Sequence, residues 1–393
     1  MTDFPPTRAA ALQRLAVFVP HAGRAYAEGR NSDLGPGAAS AVSRLSPYLR
    51  RRLLTEADVV GAVLAEYRLA AAEKFVAEVL WRTYWKGWLE LRPGVWRQFL
   101  DDRDAARQLP IARAIAAAEA GTTGIDGFDD WARELVETGY LHNHARMWFA
   151  SIWIFTLRLP WSLGADFFLR HLIDADPASN TLSWRWVAGL QTAGKTYLAT
   201  ADNIARYTGG RFAPQGLART AVPITGPPVP PPALMAMLPP ADATMPTLLL
   251  VTPEDFHPES LVPAAPLLGG AVVIASDEGG PLSQAFVAGA AADAAERIAA
   301  HYGVAAQTLP GFDAGAIIAA AGHFGARQIV TPYAPVGPVA DALAALAPQL
   351  AAAGLTLHQR RRRWDAAFWP HAQKGFFPFK ERIPAILATE GIG

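Results

Sequence analysis

The 393-residue chain contains no cysteine. That excludes disulfides, zinc–thiolate centres, cysteine-ligated iron–sulfur clusters and thiol nucleophiles. It also lacks an excess of either charge, with 35 Lys and Arg against 35 Asp and Glu. There is no global basic field, so a nucleic-acid partner would have to be met by a local patch. Long hydrophobic runs are missing. The most apolar run, Met147 to Leu157, is too short to span a bilayer and ends at Arg158. The opening "MTDFPPTRAAALQRL" has no apolar core of the signal-peptide kind. A soluble, cytoplasmic protein without membrane contact is expected. Nucleotide fingerprints are absent too: no G-x-G-x-x-G and no Walker sequence follows any strand-like segment.

What is present is a globular composition, 51% hydrophobic and 18% charged. That supports sizeable cores and a length of two or three domains. The two halves differ. Up to about residue 210 the pattern is helical. "TEADVVGAVLAEYRLAAAEKFVAEVLWRTYWKGWLEL" opens on a capping candidate, Thr55, and recurs near 3.6 residues. "FDDWARELVETGYLHNHARMWFASIWIFTL" reads as two helices broken near Gly139. Ten of the 12 tryptophans precede residue 190, which suits the core of a helix bundle. Residues 213–246 are proline-dense and read as an extended interdomain connector. Beyond them "TLLLVT", "AVVIAS", "QIVTPYA" and "LTLHQRR" alternate with alanine-rich helices, one ending at Gly303. Such alternation predicts a parallel α/β sheet. An aromatic tail, "WDAAFWPHAQKGFFPFKERIPAILA", closes the chain.

Four stretches of the helical half carry chemistry. In "YAEGRNSDLGPGAASAVSRLSPYL", Tyr26 precedes a glycine-rich loop, and Ser43, Leu45 and Ser46 open a helix. Free N–H groups there suit a phosphate or pyrophosphate, or they are simply capped. In "EVLWRTYW", Glu78, Trp81, Arg82 and Trp85 share one helix face. An acid, two indoles and a guanidinium can stack on flat rings and add hydrogen bonds, or can make a helix–helix contact. In "GYLHNHARM", Asn143 and Met147 share a face, with Arg146 beside it. "DADPASNTLSWRWVAGLQT" sets Asp174 and Asp176 before Asn180, Trp184 and Trp186. Pro177 and Ser179 make this a poor helix opening, and the run is too polar for a core strand.

Together "SRLSPYL", "EVLWRTYW", "TGYLHNHARM" and "HLIDADPASNTLSWRW", in this order and spacing, resemble the FAD-binding domain of the photolyase/cryptochrome superfamily over residues 20–212. The resemblance implies an α plus α/β fold: a helical FAD-binding domain over residues 1–212, the linker 213–246, and a Rossmann-like domain over 247–393. It implies FAD as cofactor and light-driven electron transfer to UV-damaged pyrimidines, without metal or nucleophile. Tyr26, Ser43, Leu45 and Ser46 match positions along the pyrophosphate and ribityl chain. Arg82 joins the cofactor wall. Arg146 and Asp174 match an ion pair beside the isoalloxazine, Asp176 an acid at its polar edge, and Asn180 the residue facing N5. Trp184 and Trp161 match the first two members of an electron relay. Glu78, Trp81, Asn143, Met147 and Trp186 match the walls of the lesion pocket. Asn143 and Met147 favour a cyclobutane pyrimidine dimer (CPD) over a (6–4) product, and the stacking pair would hold an extruded dimer.

An α/β half that follows the flavin half is similar to the topologically inverted, shortened bacterial photolyases. That likeness implies a preference for single-stranded DNA, a C-terminal domain that covers the FAD site, and no antenna chromophore. It implies no obligate protein partner. There are departures. Val42 stands where a hydroxyl residue is usual, "TGIDGFDD" replaces T-G-Y-P-x-V-D, and Arg107 and Gln108 occupy the distal relay region, leaving Trp148, Trp153 or Tyr197 as substitutes. Arg50, Arg51 and Arg52 are expected to meet DNA phosphates. Arg360 to Arg363 form a second basic run, or a solvated strand end. Two other functions stay open: a flavin photoreceptor acting through a partner, and a helical scaffold carrying a nucleotide-handling domain.

Overall fold

Proline and glycine placement decides where the helices of the first half begin and end. The computed structural model describes residues 3–38, 40–262, 268–276 and 279–393. Its helical half comprises α1 (Arg8–Phe18), α2 (Arg24–Gly29), α3 (Ser46–Arg50), α4 (Glu56–Glu66), α5 (Leu69–Glu90), α6 (Gly94–Ala106), α7 (Ala112–Glu119), α8 (Phe128–Thr138), α9 (Asn143–Ser151), α10 (Trp161–His171), α11 (Pro177–Val187) and α12 (Ala201–Tyr207). Thr55 caps α4 through a reciprocal capping box with Asp58. Gly139 ends α8 in the left-handed conformation. α5, at 22 residues, is the spine; α4, α11 and the C-terminal tail all pack on it.

Residues 213–246 form neither helix nor strand. They lie against the helical half through backbone bonds, Ile224 N–H to Ala188 carbonyl (3.0 Å) and Ala233 N–H to Leu91 carbonyl (2.8 Å).

The second half is a five-stranded parallel sheet, β1 (Thr247–Val251), β2 (Leu268–Ile274), β3 (Ala306–Leu309), β4 (Gln328–Pro332) and β5 (Thr356–Arg360), in the order β3-β2-β1-β4-β5. Helices α13 (Pro281–Tyr302), α14 (Ala314–His323) and α15 (Pro338–Ala352) connect the strands. The sequence pattern had not shown β3, whose residues are half-buried or exposed. Side chains alternate across a strand, and the core divides accordingly. Leu248, Leu250, Val272 and Ile274 pack with α14 and α15. Leu249, Val251, Ala271 and Val273 pack with α13 and join the core of the helical half. Burying such a side chain contributes roughly 1.5–3 kcal/mol, so one sheet face ties the two halves into one hydrophobic interior.

The tail forms α16 (Arg363–Phe368), α17 (Phe376–Lys380) and α18 (Ile383–Thr389). It returns to α5. A Cβ on Gly87 would sit 2.8 Å from the Trp369 Cα, so only glycine allows this approach.

Candidate active site

The stretch expected to be a poor helix opening is the start of α11. Asp176 is its N-cap, accepting the Ser179 N–H at 2.7 Å, and Pro177 takes the first turn. Proline is tolerated there because its missing N–H has no intrahelical partner anyway. This placement puts Asp174 and Asp176, both nearly fully buried, against α5 and α9.

Asp174 receives a bidentate pair from Arg146 on α9 (3.0 and 2.8 Å). Burial pushes its carboxyl up, but Arg146, Arg82 and the Ser46 hydroxyl outweigh that and hold it below the usual carboxylate range. Asp176 faces two cations of α5: Lys86 Nζ at 3.5 Å and Arg82 Nη1 at 3.7 Å. They too overcome burial and keep Asp176 ionised. Lys86 escaped the sequence reading, although its spacing of four from Arg82 placed it on the same face. The Asn180 amide donates to the Ala165 carbonyl at 2.8 Å, which fixes its orientation.

Glu78 pairs with Arg30 at the end of α2. Burial outweighs that cation and raises the Glu78 carboxyl. Tyr26 is buried edge-on to Phe75 (5.2 Å). Leu45 caps α3, and the Ser43 hydroxyl accepts the Leu45 N–H at 3.4 Å. The loop containing Ser40, Val42 and Arg44 borders a cleft of ≈ 990 Å³ that also reaches Tyr140, His142 and Glu134. Ala39, within that loop, lies outside the described residues.

Trp184 and Trp186 leave α11 about 200° apart. Trp184 is buried, edge-on to Phe168 (5.1 Å) and Trp153 (6.2 Å). A Cβ on Gly164 would come within 2.3 Å of its ring. Trp161, on the same helix as Gly164, is buried at 5.7 Å from Phe99, with the Arg185 guanidinium at 5.9 Å. Trp153 is therefore in ring contact with Trp184. Trp148 stacks between Trp131 and His144 (5.4 and 4.8 Å). Arg107, where a distal relay residue was sought, pairs with Asp166 at 3.1 Å.

Trp186 is half-buried and stacks on Tyr197 (5.7 Å, 26°). Trp81 is half-buried and stacks on Phe376 of α17 (3.7 Å, 11°). Asn143 is exposed at the first turn of α9 and Met147 is half-buried one turn on. α11 packs against both α5 and α9, so the elements bearing these four side chains meet.

The basic residues need correction. Arg50, Arg51 and Arg52 do not face solvent; all are buried between the halves. Arg50 makes a bidentate pair with Glu254 (2.7 and 2.8 Å) and donates to the Ala175 carbonyl (2.7 Å). Arg51 reaches the Pro253 carbonyl (3.3 Å). Arg52 holds both oxygens of Asp365 at 2.7 Å. A cluster of arginines after a short helix reads as a DNA footprint when the acids that answer it lie about 200 residues or more away. The second run also divides. Arg362 is buried on Asp255 (2.6 Å), Arg361 lies over the Tyr333 ring (4.4 Å), and Arg360 and Arg363 stand at the surface or its margin.

The site's chemistry fits a flat heteroaromatic ligand with a polar edge. Arg82 Nη1, Lys86 Nζ, Asp176 Oδ2 and Trp184 Nε1 are buried without hydrogen-bond partners. Leaving such atoms unsatisfied is costly; a flavin offers carbonyls and ring nitrogens to answer them. Among the described residues no group of His, Asp or Glu is arranged to hold a metal, and no helix is long and apolar enough to cross a membrane.

Comparison with known proteins agrees with the flavin reading. Residues 75–216 match the family model described as the FAD binding domain of DNA photolyase. Over 156 residues the chain is 36% identical to a deoxyribodipyrimidine photo-lyase of Streptomyces griseus, covering 39% of this chain and 34% of that protein. Over 213 residues it is 34% identical to a deoxyribodipyrimidine photo-lyase of Thermus thermophilus, covering 54% and 49%. A solved class III photolyase from Agrobacterium tumefaciens aligns with 52% of this chain and 43% of its own, at 29% identity and a TM-score of 0.45. The chain thus spans half or less of the length of these relatives. Within its helical half, residues 75–216 are similar to the FAD-binding domain of DNA photolyase.

Proposed function

We propose that the protein, built around this FAD-binding domain, is a light-dependent DNA repair enzyme that splits cyclobutane pyrimidine dimers, preferentially in single-stranded DNA. One observation carries the reading. Two half-buried indoles, Trp81 and Trp186, and a half-buried acid, Glu78, stand on the helices that also bear the Asp174 and Asp176 cluster. A photoreceptor has no use for stacking walls and a base-recognising acid beside its flavin.

Bound FAD supplies a light-excited electron donor. The chain's own residues do the rest. Arg146, Asp174, Asp176, Arg82 and Lys86 set the charge around the ring, and Asn180 offers an uncharged amide to it. Trp81 is backed by Phe376 and flanked by Tyr84 and Trp85, and Trp186 is backed by Tyr197; both indoles stay partly exposed and would stack on a pyrimidine from the solvent side. Stacking of this kind is worth about 1–3 kcal/mol per base. Extruding a damaged or unpaired base costs less than extruding a paired one, which supports the single-strand preference. The raised Glu78 carboxyl can donate a hydrogen bond to a base carbonyl in its protonated form. Trp184 and Trp153 form the start of a path for electrons inward. Relatives named deoxyribodipyrimidine photo-lyase support the same reading.

The test is repair of CPD-containing oligonucleotides, single- and double-stranded, under blue light with reductant. Restored thymines in light and none in darkness are expected, faster on single strands. A yellow protein that restores none in light would transfer the reading to a photoreceptor. In the same preparation Trp184→Phe should slow flavin photoreduction while leaving flavin bound.

A further inference from the structure

The C-terminal tail brings one more surface to this site. α17 lays Phe376 flat on Trp81, with ring centroids 3.7 Å apart. Phe376 is also wedged edge-on to Tyr84 (5.5 Å) and against Phe379 (5.9 Å). The segment is pinned at both ends to α5: the Tyr84 hydroxyl donates to the Lys374 carbonyl at 2.7 Å, and Lys380 pairs with Glu73 at 2.6 Å. A ring that merely plugged a lesion pocket would be held by the pocket wall alone. Phe376 is core on its other sides, so it backs Trp81 rather than occupying a substrate's place.

The next residue behaves differently. Phe377 is 76% exposed, and among the described residues it is the sole Phe, Tyr or Trp side chain left in solvent. It stands one residue from the ring that stacks on Trp81. From Lys374 to Arg382 the chain carries three cations, Lys374, Lys380 and Arg382, against one acid, Glu381; Lys380 is taken by Glu73, and Lys374 and Arg382 are exposed. An exposed ring among cations is the arrangement that meets unpaired nucleotides, with the ring stacking on a base and the cations attracting phosphates. In a duplex the bases beside a lesion are already stacked and paired, so the ring gains little there.

We infer that Lys374 to Arg382 is a single-stranded-DNA contact supplied by the α/β half: Phe376 positions Trp81 as a lesion wall, and Phe377 stacks on a nucleotide flanking the lesion. This rests on the repair reading of the site. It gives the C-terminal half a part in substrate binding beyond covering the cofactor.

The experiment measures binding of the FAD-loaded full chain to fluorescent oligonucleotides, single- and double-stranded, with and without one CPD. Phe377→Ala should leave flavin content and melting temperature unchanged, because its ring is in solvent. It should weaken single-strand binding about tenfold, with or without the dimer, because the flanking nucleotide is undamaged in both. Duplex binding should change little. Phe376→Ala should lower the preference for damaged over undamaged strands, because Trp81 loses its backing. Unchanged single-strand affinity in Phe377→Ala overturns the proposal. Tighter lesion binding in Phe376→Ala overturns it in favour of a plug. A wild-type protein that binds single strands and weakens with Phe377→Ala, yet repairs no dimer, supports the contact and refutes the repair reading instead.

Discussion

Two clusters of buried charge in this protein, one at the junction of the halves and one around Asp176, are finished to different degrees. At the junction of the halves, Arg50 and Arg362 meet Glu254 and Asp255 in bidentate geometry, and Arg52 shares one nitrogen, Nη2, between both oxygens of Asp365. A few steps along the same network, around Asp176, the cations stand off. Lys86 and Arg82 approach Asp176 only to 3.5 and 3.7 Å, and buried atoms of all three lack hydrogen bonds. The first cluster is closed by direct ion pairs that hold two halves together, although Arg52 Nε and Glu56 Oε1 are buried there without hydrogen bonds. Around Asp176 the nearest cation stands at 3.5 Å. The same residue types therefore clamp the halves in one place and stand apart in the other. Lys86, which also lies 3.9 Å from Glu254, connects them.

The comparison breaks most sharply at Arg52. Removing one partner of a buried pair strands the other, and Arg52→Ala should lower unfolding free energy by about 3–5 kcal/mol in urea titrations. The exposed Arg24–Glu28 pair is the contrast, and Arg24→Ala should leave the urea midpoint unchanged. Similar effects from both variants would show that the junction is not the clamp described.

A smaller effect is expected at the unfinished cluster. Asp176→Asn keeps the helix cap, since Asn caps as well as Asp, but removes the charge facing Lys86 and Arg82. Flavin affinity should fall roughly tenfold, about 1.4 kcal/mol, read by flavin absorbance after gel filtration. Retention equal to wild type would mean that Asp176 is a cap alone.

The smallest effect is in pH dependence. Burial, reinforced by Arg8 and Arg362, lowers His257 at the junction to about 4. An unfolded histidine takes up its proton near 6.5, so the unfolded state binds more protons between about 6.5 and 4. Stability should fall as pH drops through that window, and His257→Asn should flatten the slope. A second loss belongs to Asp176 and Glu254, whose carboxyls are held low by neighbouring cations despite burial. Their contribution is present above the ordinary carboxylate range and is lost as pH falls below about 4. His142, lowered to about 4 as well, and Glu134, raised to about 7, add slopes of opposite sign, so the check is the difference between wild type and His257→Asn from pH 7 to 4.5; identical profiles would show that His257 is not shielded as described.

Much of this was legible in local pattern. The capping box at Thr55, the break at Gly139 and the end of α13 at Gly303 follow from cap chemistry, which involves only a few neighbouring residues. Four of the five strands were readable from apolar runs or from their place between helices; β5 was read that way although it is no better buried than β3, while β3, only four residues long, leaves no run of its own. Pro177 misled because proline breaks a helix interior but suits its first turn, and only the Asp176 cap tells the two apart.

By itself the sequence determined the helical half, the parallel sheet and the set of polar and aromatic side chains gathered on α5 and α11. Those are encoded by spacing along one element or by motif order. The tertiary structure alone decided what the arginines do and what the tail touches. Arg50 to Arg52 looked like a phosphate patch until Glu254, Asp255 and Asp365 closed on them, and the aromatic tail had no partner until Phe376 lay on Trp81. A charge or a ring has no fixed meaning until its partner is known. Here those partners come from the other half of the chain, beyond the reach of any local pattern.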